Sequence, residues 1–219
     1  MLGIVRSGEA FPPERELARL LSVSRSTVQQ ALGVLQREGL VVRRPGRNGG
    51  TIVMGSATDV ADSEETRAVL RPLIDVAYEA LDVRLEIEPI VAGLAARNAT
   101  PRDLQVIQNE AIAVIGAADD QVFMEHDAAF HAAIAEASRN RFYAGALAQI
   151  RAVLDEVLTA LPGSPSWHER SYGQHAAVIA AVVAHDEQGA REAMSEHVRP
   201  TDIAARALLA TMNREARST

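Results

Sequence analysis

Between residues 13 and 53 the chain is punctuated so closely that few folds can accept it: PERELARLL, SVS, RSTVQQALGVLQREG, LVVRR and TIV follow one another with almost no spacer. Pro12 and Pro13 stand before an amphipathic run. Proline fits a first helical turn, and Glu14 and Glu16 suit the positive end of the helix dipole. Leu17, Leu20 and Leu21 recur at helical spacing and predict one apolar face. Ser22-Val23-Ser24 then breaks the run, with Val23 as the expected inward plug and Ser24 as the cap of a second helix. In that helix Val28, Ala31, Leu32 and Leu35 form the expected buried stripe, while Ser26, Thr27, Gln29 and Gln30 lie outside it. Gly39 supplies the stop. Two β-prone runs joined by a Pro/Gly/Asn turn follow, carrying Arg43, Arg44 and Arg47. Two short helices about a tight turn, then a basic hairpin, make a helix for the major groove and a wing for the backbone.

Charge divides the chain at the same place. The whole is acidic, net −7, which alone argues against a nucleic-acid partner. Up to residue 55, however, eight arginines face four acidic residues, whereas fourteen face twenty-five beyond it. A basic head on an acidic body fits a DNA-binding module joined to something else. All the cations are arginine, a bias to which no function is assigned.

At 219 residues the chain has room for one small and one medium domain. The absence of cysteine excludes disulfides and thiolate metal sites. No apolar run reaches membrane-spanning length and no signal peptide opens the chain, so no membrane partner and a cytoplasmic location are expected. Aromatics at 4% with abundant alanine favour closely packed helices. The expected organisation is a DNA-binding domain over 1–55, a polar acidic linker over 56–72 with a tail that can turn helical at Glu64, and a helical domain over 73–219. In that domain helical spacing predicts helices over 74–97, 100–117, 119–137, 140–161, 167–184 and 186–214, the last interrupted by Pro200. The expected fold is mainly all-α, a winged helix-turn-helix followed by an antiparallel helical bundle.

All six histidines lie after residue 120. Asp127 and His131 are one turn apart, a spacing from which both can ligate one ion. His175 and His197 sit on apolar stripes of two other helices, so three helices can aim Asp127, His131, His175 and His197 into one cavity. Buried histidines satisfied by a single hydrogen bond are the alternative. His126 is turned about 100° from Asp127, His168 lies at a helix start and His185 at a helix end, and none of these is expected to be a ligand.

These residues resemble a family. FPPERELA, VSRSTVQQALGVLQREGLV and RPGRNGGTIV are similar to the winged helix-turn-helix of GntR regulators. RLEIEP from Arg84, LAARNAT, DAAFHAAIAEASRN ending at Asn140, and HAAVIAAVVAHDEQGAREAMSEH resemble the FCD ligand-sensing domain of the FadR branch. The resemblance implies that Arg15, Arg25, Ser26 and Thr27 contact DNA, with Gln29, Arg44, Gly46 and Arg47 on the same recognition helix and wing. It implies that Asp127, His131, His175 and His197 hold a divalent ion, zinc first, with nickel or manganese also compatible. Open coordination positions would let a small carboxylate effector complete the sphere. Arg84, with Asn140, is the implied effector contact. An intrahelical pair between Arg84 and Glu88 is the alternative, worth a few tenths of a kcal/mol at a surface.

The expected function is a ligand-responsive repressor, a homodimer placing two recognition helices about one DNA turn apart on an operator. A metal-dependent hydrolase, or a regulator whose metal is purely structural, are the alternatives. Two departures from the family pattern stand out. Only MLGIVRSGEAF precedes the proline-led helix, so the family's first helix is expected to be missing or shortened, leaving the Leu17/Leu32 face partly uncovered. Gln29 replaces the family's usual arginine, and glutamine prefers adenine to guanine.

Overall fold

The computed structural model describes residues 10–37, 41–44, 50–53, 64–117, 119–161 and 165–216. Helix α1 (Glu14–Leu20) and α2 (Arg25–Arg37) are followed by β1 (Val41–Arg44) and β2 (Gly50–Val53). The strands pair antiparallel, Val41 opposite Val53 and Arg44 opposite Gly50. Ser24 caps α2 as expected, accepting the Thr27 N–H at 3.0 Å. One pairing was not foreseen: Ala10 bridges to Ile52, and the Phe11 N–H donates to the Thr51 carbonyl at 2.8 Å. The segment before α1 thus borders the wing, and Phe11 packs on the small core of Leu17, Ala18, Val28 and Leu32.

Leu17 and Leu32 are buried, not partly uncovered. The apolar face of α1 is narrower than its spacing suggested. The helix ends at Leu20, and Ser22 takes a left-handed backbone (φ 55°). Leu20, Leu21 and Val23 therefore lie outside the core, each more than 40% exposed, and Val23 is not an inward plug. Ala31 is exposed as well, at the edge of the stripe formed by Val28 and Leu32. Residues 1–9 of the segment before the proline-led helix, and the wing tip with Gly46 and Arg47, lie outside the described residues.

Helix resumes within the expected linker as α3 (Glu64–Leu70), and a 3₁₀ turn (Arg71–Leu73) leads into α4 (Ile74–Asn98). Leu70 is fully buried with Ile74, Ala77 and Leu81. Those four positions continue one helical spacing, which the acidic lead-in had obscured. Then come α5 (Pro101–Ile115), α6 (Asp120–Ala137), α7 (Arg141–Thr159), α8 (Pro165–Val183) and α9 (Glu187–Ala216). Capping side chains start them where the sequence signals them. Thr100 and Asp103 form a reciprocal capping box on α5, Asp119 accepts the Val122 N–H, and Asn140 accepts those of Phe142 and Tyr143.

The bundle has two apolar clusters with a polar layer between them. Val91, Ala95, Phe130, Ile134, Val178 and Met194 belong to one, and Leu81, Leu154, Leu158, Leu208 and Leu209 to the other. On α4, Arg84 and Glu88 fall between the two sets; on α9, Asp202 does, and His197 lies near the end of the first set beside Val198. Pro200 lies inside α9, which continues past it. Proline has no N–H to offer the carbonyl of Glu196, four residues back. That carbonyl instead accepts Nε2 of Gln174, from α8, at 3.0 Å.

Candidate functional site

Four predicted side chains converge in the polar layer. Asp127 and His131 come from α6, His175 from α8 and His197 from α9, all buried. One donor atom from each lies within 4.8 Å of all the others. Nε2 of His197 stands 3.1 Å from Nε2 of His131 and 3.2 Å from Nε2 of His175. Asp127 approaches His175 at 3.2 Å, His131 at 3.7 Å and His197 at 3.9 Å. Donors about 2.1 Å from one ion are separated by about 3.0 Å on an octahedral edge and about 3.4 Å on a tetrahedral one. The separations of 3.1, 3.2 and 3.2 Å match those edges, those of 3.7 and 3.9 Å lie beyond them, and His131 and His175 are within the same 4.8 Å.

Proton inventory also favours a cation. A neutral imidazole has one N–H, and three mutually facing Nε2 atoms cannot all be satisfied by one another. A shared cation accepts all three lone pairs together with a carboxylate oxygen. Electrostatics holds two of the donors, His197 and Asp127, in the required state. Burial pushes the His197 pKa well below its ordinary value, and His131 and His175 add to the effect, so its ring is neutral. Burial raises the pKa of Asp127, but His131, the hydrogen bond with His175 and the Arg151 guanidinium outweigh it and hold the carboxyl ionised. The donor set fits a divalent metal.

Three supporting residues escaped the sequence reading. Glu88 reaches Nδ1 of His131 at 2.5 Å with one oxygen while its other accepts Nε of Arg84 at 2.7 Å. A carboxylate behind a ligating histidine fixes its ring and raises its basicity. Burial works against the ionised Glu88, yet Arg84 and His131 bring its pKa far below the ordinary range. Phe130, fully buried, packs its ring 4.1 Å from His175 and edge-on to His131 and His197. Arg151 of α7 places Nη2 3.4 Å from Asp127. Phe130 adjoins His131 in sequence and is legible there; the sequence marks Glu88 only as a helical-spacing partner of Arg84.

The Arg84–Glu88 pair is therefore real, but it is buried and part of the site. A cavity of about 420 Å³ lies alongside, lined by Arg84, Glu88, His131 and Arg151 and otherwise mainly by alanines of α6 and α7. Asn140 is not brought there. Its side-chain oxygen caps α7, and the residue does not line this cavity. His126 pairs with Glu110 at 2.9 Å, His168 stacks on Phe123, and His185 meets the Ala96 carbonyl at 2.8 Å; none belongs to the donor cluster.

At the other end of the chain Arg15, Arg25, Ser26, Thr27, Gln29 and Arg44 are all exposed. Glu14, read from sequence as a dipole partner, links α1 to both neighbours. It accepts Nε2 of Gln29 at 2.7 Å and lies 3.5 Å from Nη2 of Arg43. No helix among the described residues is long and apolar enough to cross a membrane.

Residues 79–200 match the FCD domain, and residues 1–53 match the gntR family of bacterial regulatory proteins. The chain belongs to the FCD-bearing GntR regulators. It is 33% identical over 208 residues to a protein of Escherichia coli strain K12 provisionally named L-lactate dehydrogenase operon regulatory protein, covering 89% of this chain and 77% of that one. It is 30% identical over 203 residues to the HTH-type transcriptional regulator LutR of Bacillus subtilis strain 168, covering 90% and 91%. Among solved structures, E. coli McbR/YncC shares the fold, with a TM-score of 0.53 at 20% identity over 95% of this chain and 90% of that one. As an FCD-bearing GntR regulator the molecule is a ligand-sensing, DNA-binding transcriptional regulator.

Proposed function

We propose that the protein is a repressor, released from its operator when a small organic acid enters the cavity beside a metal held by Asp127, His131, His175 and His197. The observation that carries the reading is the adjacency of two unlike features. Four convergent donors meet at His131 the edge of a cavity that also contains the buried cation of Arg84. The association of one relative's name with L-lactate dehydrogenase is in keeping with an acid as the signal. When bound, the ion supplies a Lewis-acid anchor for a carboxylate oxygen; zinc suits the donor set, as do nickel and manganese.

The chain's own residues do the rest. Glu88 orients His131 and Arg84 together, Phe130 keeps water from the imidazoles, and Arg84 pairs with the acid. On the DNA side Arg15, Arg25, Ser26, Thr27, Gln29 and Arg44, with Gly46 and Arg47 of the wing, are the proposed contacts. Two copies acting as a homodimer would place their recognition helices about one DNA turn apart. Effector and operator affinity would then be coupled by about 1–3 kcal/mol.

Gel shifts on DNA from the regulator's own upstream region, at fixed salt, test this. Lactate and other small acids are expected to weaken the shift of zinc-loaded protein five-fold or more (about 1 kcal/mol), and chelation is expected to abolish that response. Release by acids that is unaffected by chelation would leave the metal structural and overturn the reading.

A further inference from the structure

The cavity beside the donor cluster contains a second guanidinium with the same local arrangement as the first. Arg84 on α4 gives its Nε to Glu88, one turn further along the helix, at 2.7 Å. Arg151 on α7 gives its Nε to Asp155, one turn further along its own helix, at 2.9 Å. Both arginines line the same cavity of about 420 Å³. Their side chains are 3% and 15% exposed, and each keeps a buried Nη1 with no hydrogen-bond partner. A buried donor left without an acceptor is costly. Two of them, on separate helices around one cavity, call for acceptors that arrive with a ligand. Acids do line the space as well: Glu88 and Asp155 are the partners already named, and Glu136 is the third. The two paired carboxylates occupy the Nε edges of the guanidinia and leave the Nη1 positions over.

We propose that this cavity takes a compact dicarboxylate, with one carboxylate at Arg84 beside the donor cluster and the other at Arg151. The proposal rests on the acid-sensing reading above and narrows it from small acids in general to two-headed ones. Donor count supports it: one buried Nη1 is left over on each of two arginines, and meeting both takes two acceptor groups. Space supports it too. Pockets for small organic ligands run from about 300 to 1,000 Å³, and here the room comes from Ala128, Ala132, Ala148 and their neighbours, where longer side chains would fill it.

Calorimetric titration of zinc-loaded full-length protein with chain-matched acids is the test: succinate, malate and glutarate against butyrate, 2-hydroxybutyrate and valerate. The diacids are expected to bind about tenfold tighter or better, as one added charge-assisted hydrogen-bond pair allows. Arg151→Gln should erase that advantage and leave the monoacids within about twofold, whereas Arg84→Gln should weaken both classes. Zinc content and melting temperature check that the variants are intact. Should Arg151→Gln lose zinc, Arg151→Lys carries the decision, because it keeps the charge and should keep part of the preference. Monoacids binding as tightly as their diacids would overturn the proposal and leave acid sensing standing. An equal loss for both classes in Arg151→Gln would overturn it in the same way. If neither class binds to protein that still shifts its operator, both readings fall.

Discussion

Glu88 is the residue on which most of the site converges, since its two oxygens serve Arg84 and His131 at once. Neither neighbour is adjacent to it by more than helical spacing or chance in the sequence. A buried carboxylate bound to a guanidinium and facing an imidazole is held ionised, and its acid response follows from that. Asp127 and Glu88 both have pKa values below their ordinary 3.8 and 4.5, so their contribution to stability is complete above that range and is lost as pH falls below it. His197 acts earlier. Its pKa is below the ordinary 6.5, so the unfolded chain takes the proton first, and stability declines as pH falls below that value. Chelator-treated protein should therefore lose melting temperature in two stages, the first beginning near pH 6.5 and the second near pH 4. His197→Gln should remove the first stage only. A melting temperature level between pH 7 and pH 5 would contradict this assignment.

Among the elements, the helices of the bundle were legible because their starts are written in local chemistry. Thr100-Pro101, Asp119 and Asn140 each cap a helix at the predicted place. The contacts between helices were not legible, because they join residues far apart in the chain. The apolar face of α1 was overread for a related reason: seven residues bury little more than Leu17 and Ala18. Gln174 illustrates what spacing cannot reveal. Its amide satisfies the carbonyl that Pro200 leaves open, and it ties α8 to α9 beside His175 and His197. Gln174→Ala should cost about 1 kcal/mol for the lost bond, read as a melting temperature about 2–4 °C lower. Zinc should also leave the variant faster under chelation. An unchanged melting temperature would mean that water replaces the amide without loss.

At the scale of the molecule, charge asymmetry was readable from the sequence, because it needs only a count and a boundary. It predicts how DNA binding should respond to salt. Each phosphate neutralised by an arginine contributes about −0.9 to the slope of log affinity against log salt. Arg15→Ala or Arg44→Ala should each reduce that slope by about one and weaken binding to all sequences alike. Gln29→Arg should instead change which sequences are preferred, since glutamine suits adenine and arginine guanine, and it should free Glu14 of α1 from its bond to Gln29. Competitive binding at two salt concentrations separates these effects, and a slope unchanged in both arginine variants would remove those residues from the interface. The acidic remainder of the chain binds no phosphate in this scheme, and its twenty-five carboxylates enter only as repulsion. The bond between Gln174 and the Glu196 carbonyl bears finally on inheritance. A proline at position 200 creates a debt in the backbone that an amide on another helix settles, so neither residue is free to drift alone. In descendants where position 200 regains an N–H, position 174 loses its obligation, and the two columns should vary as one.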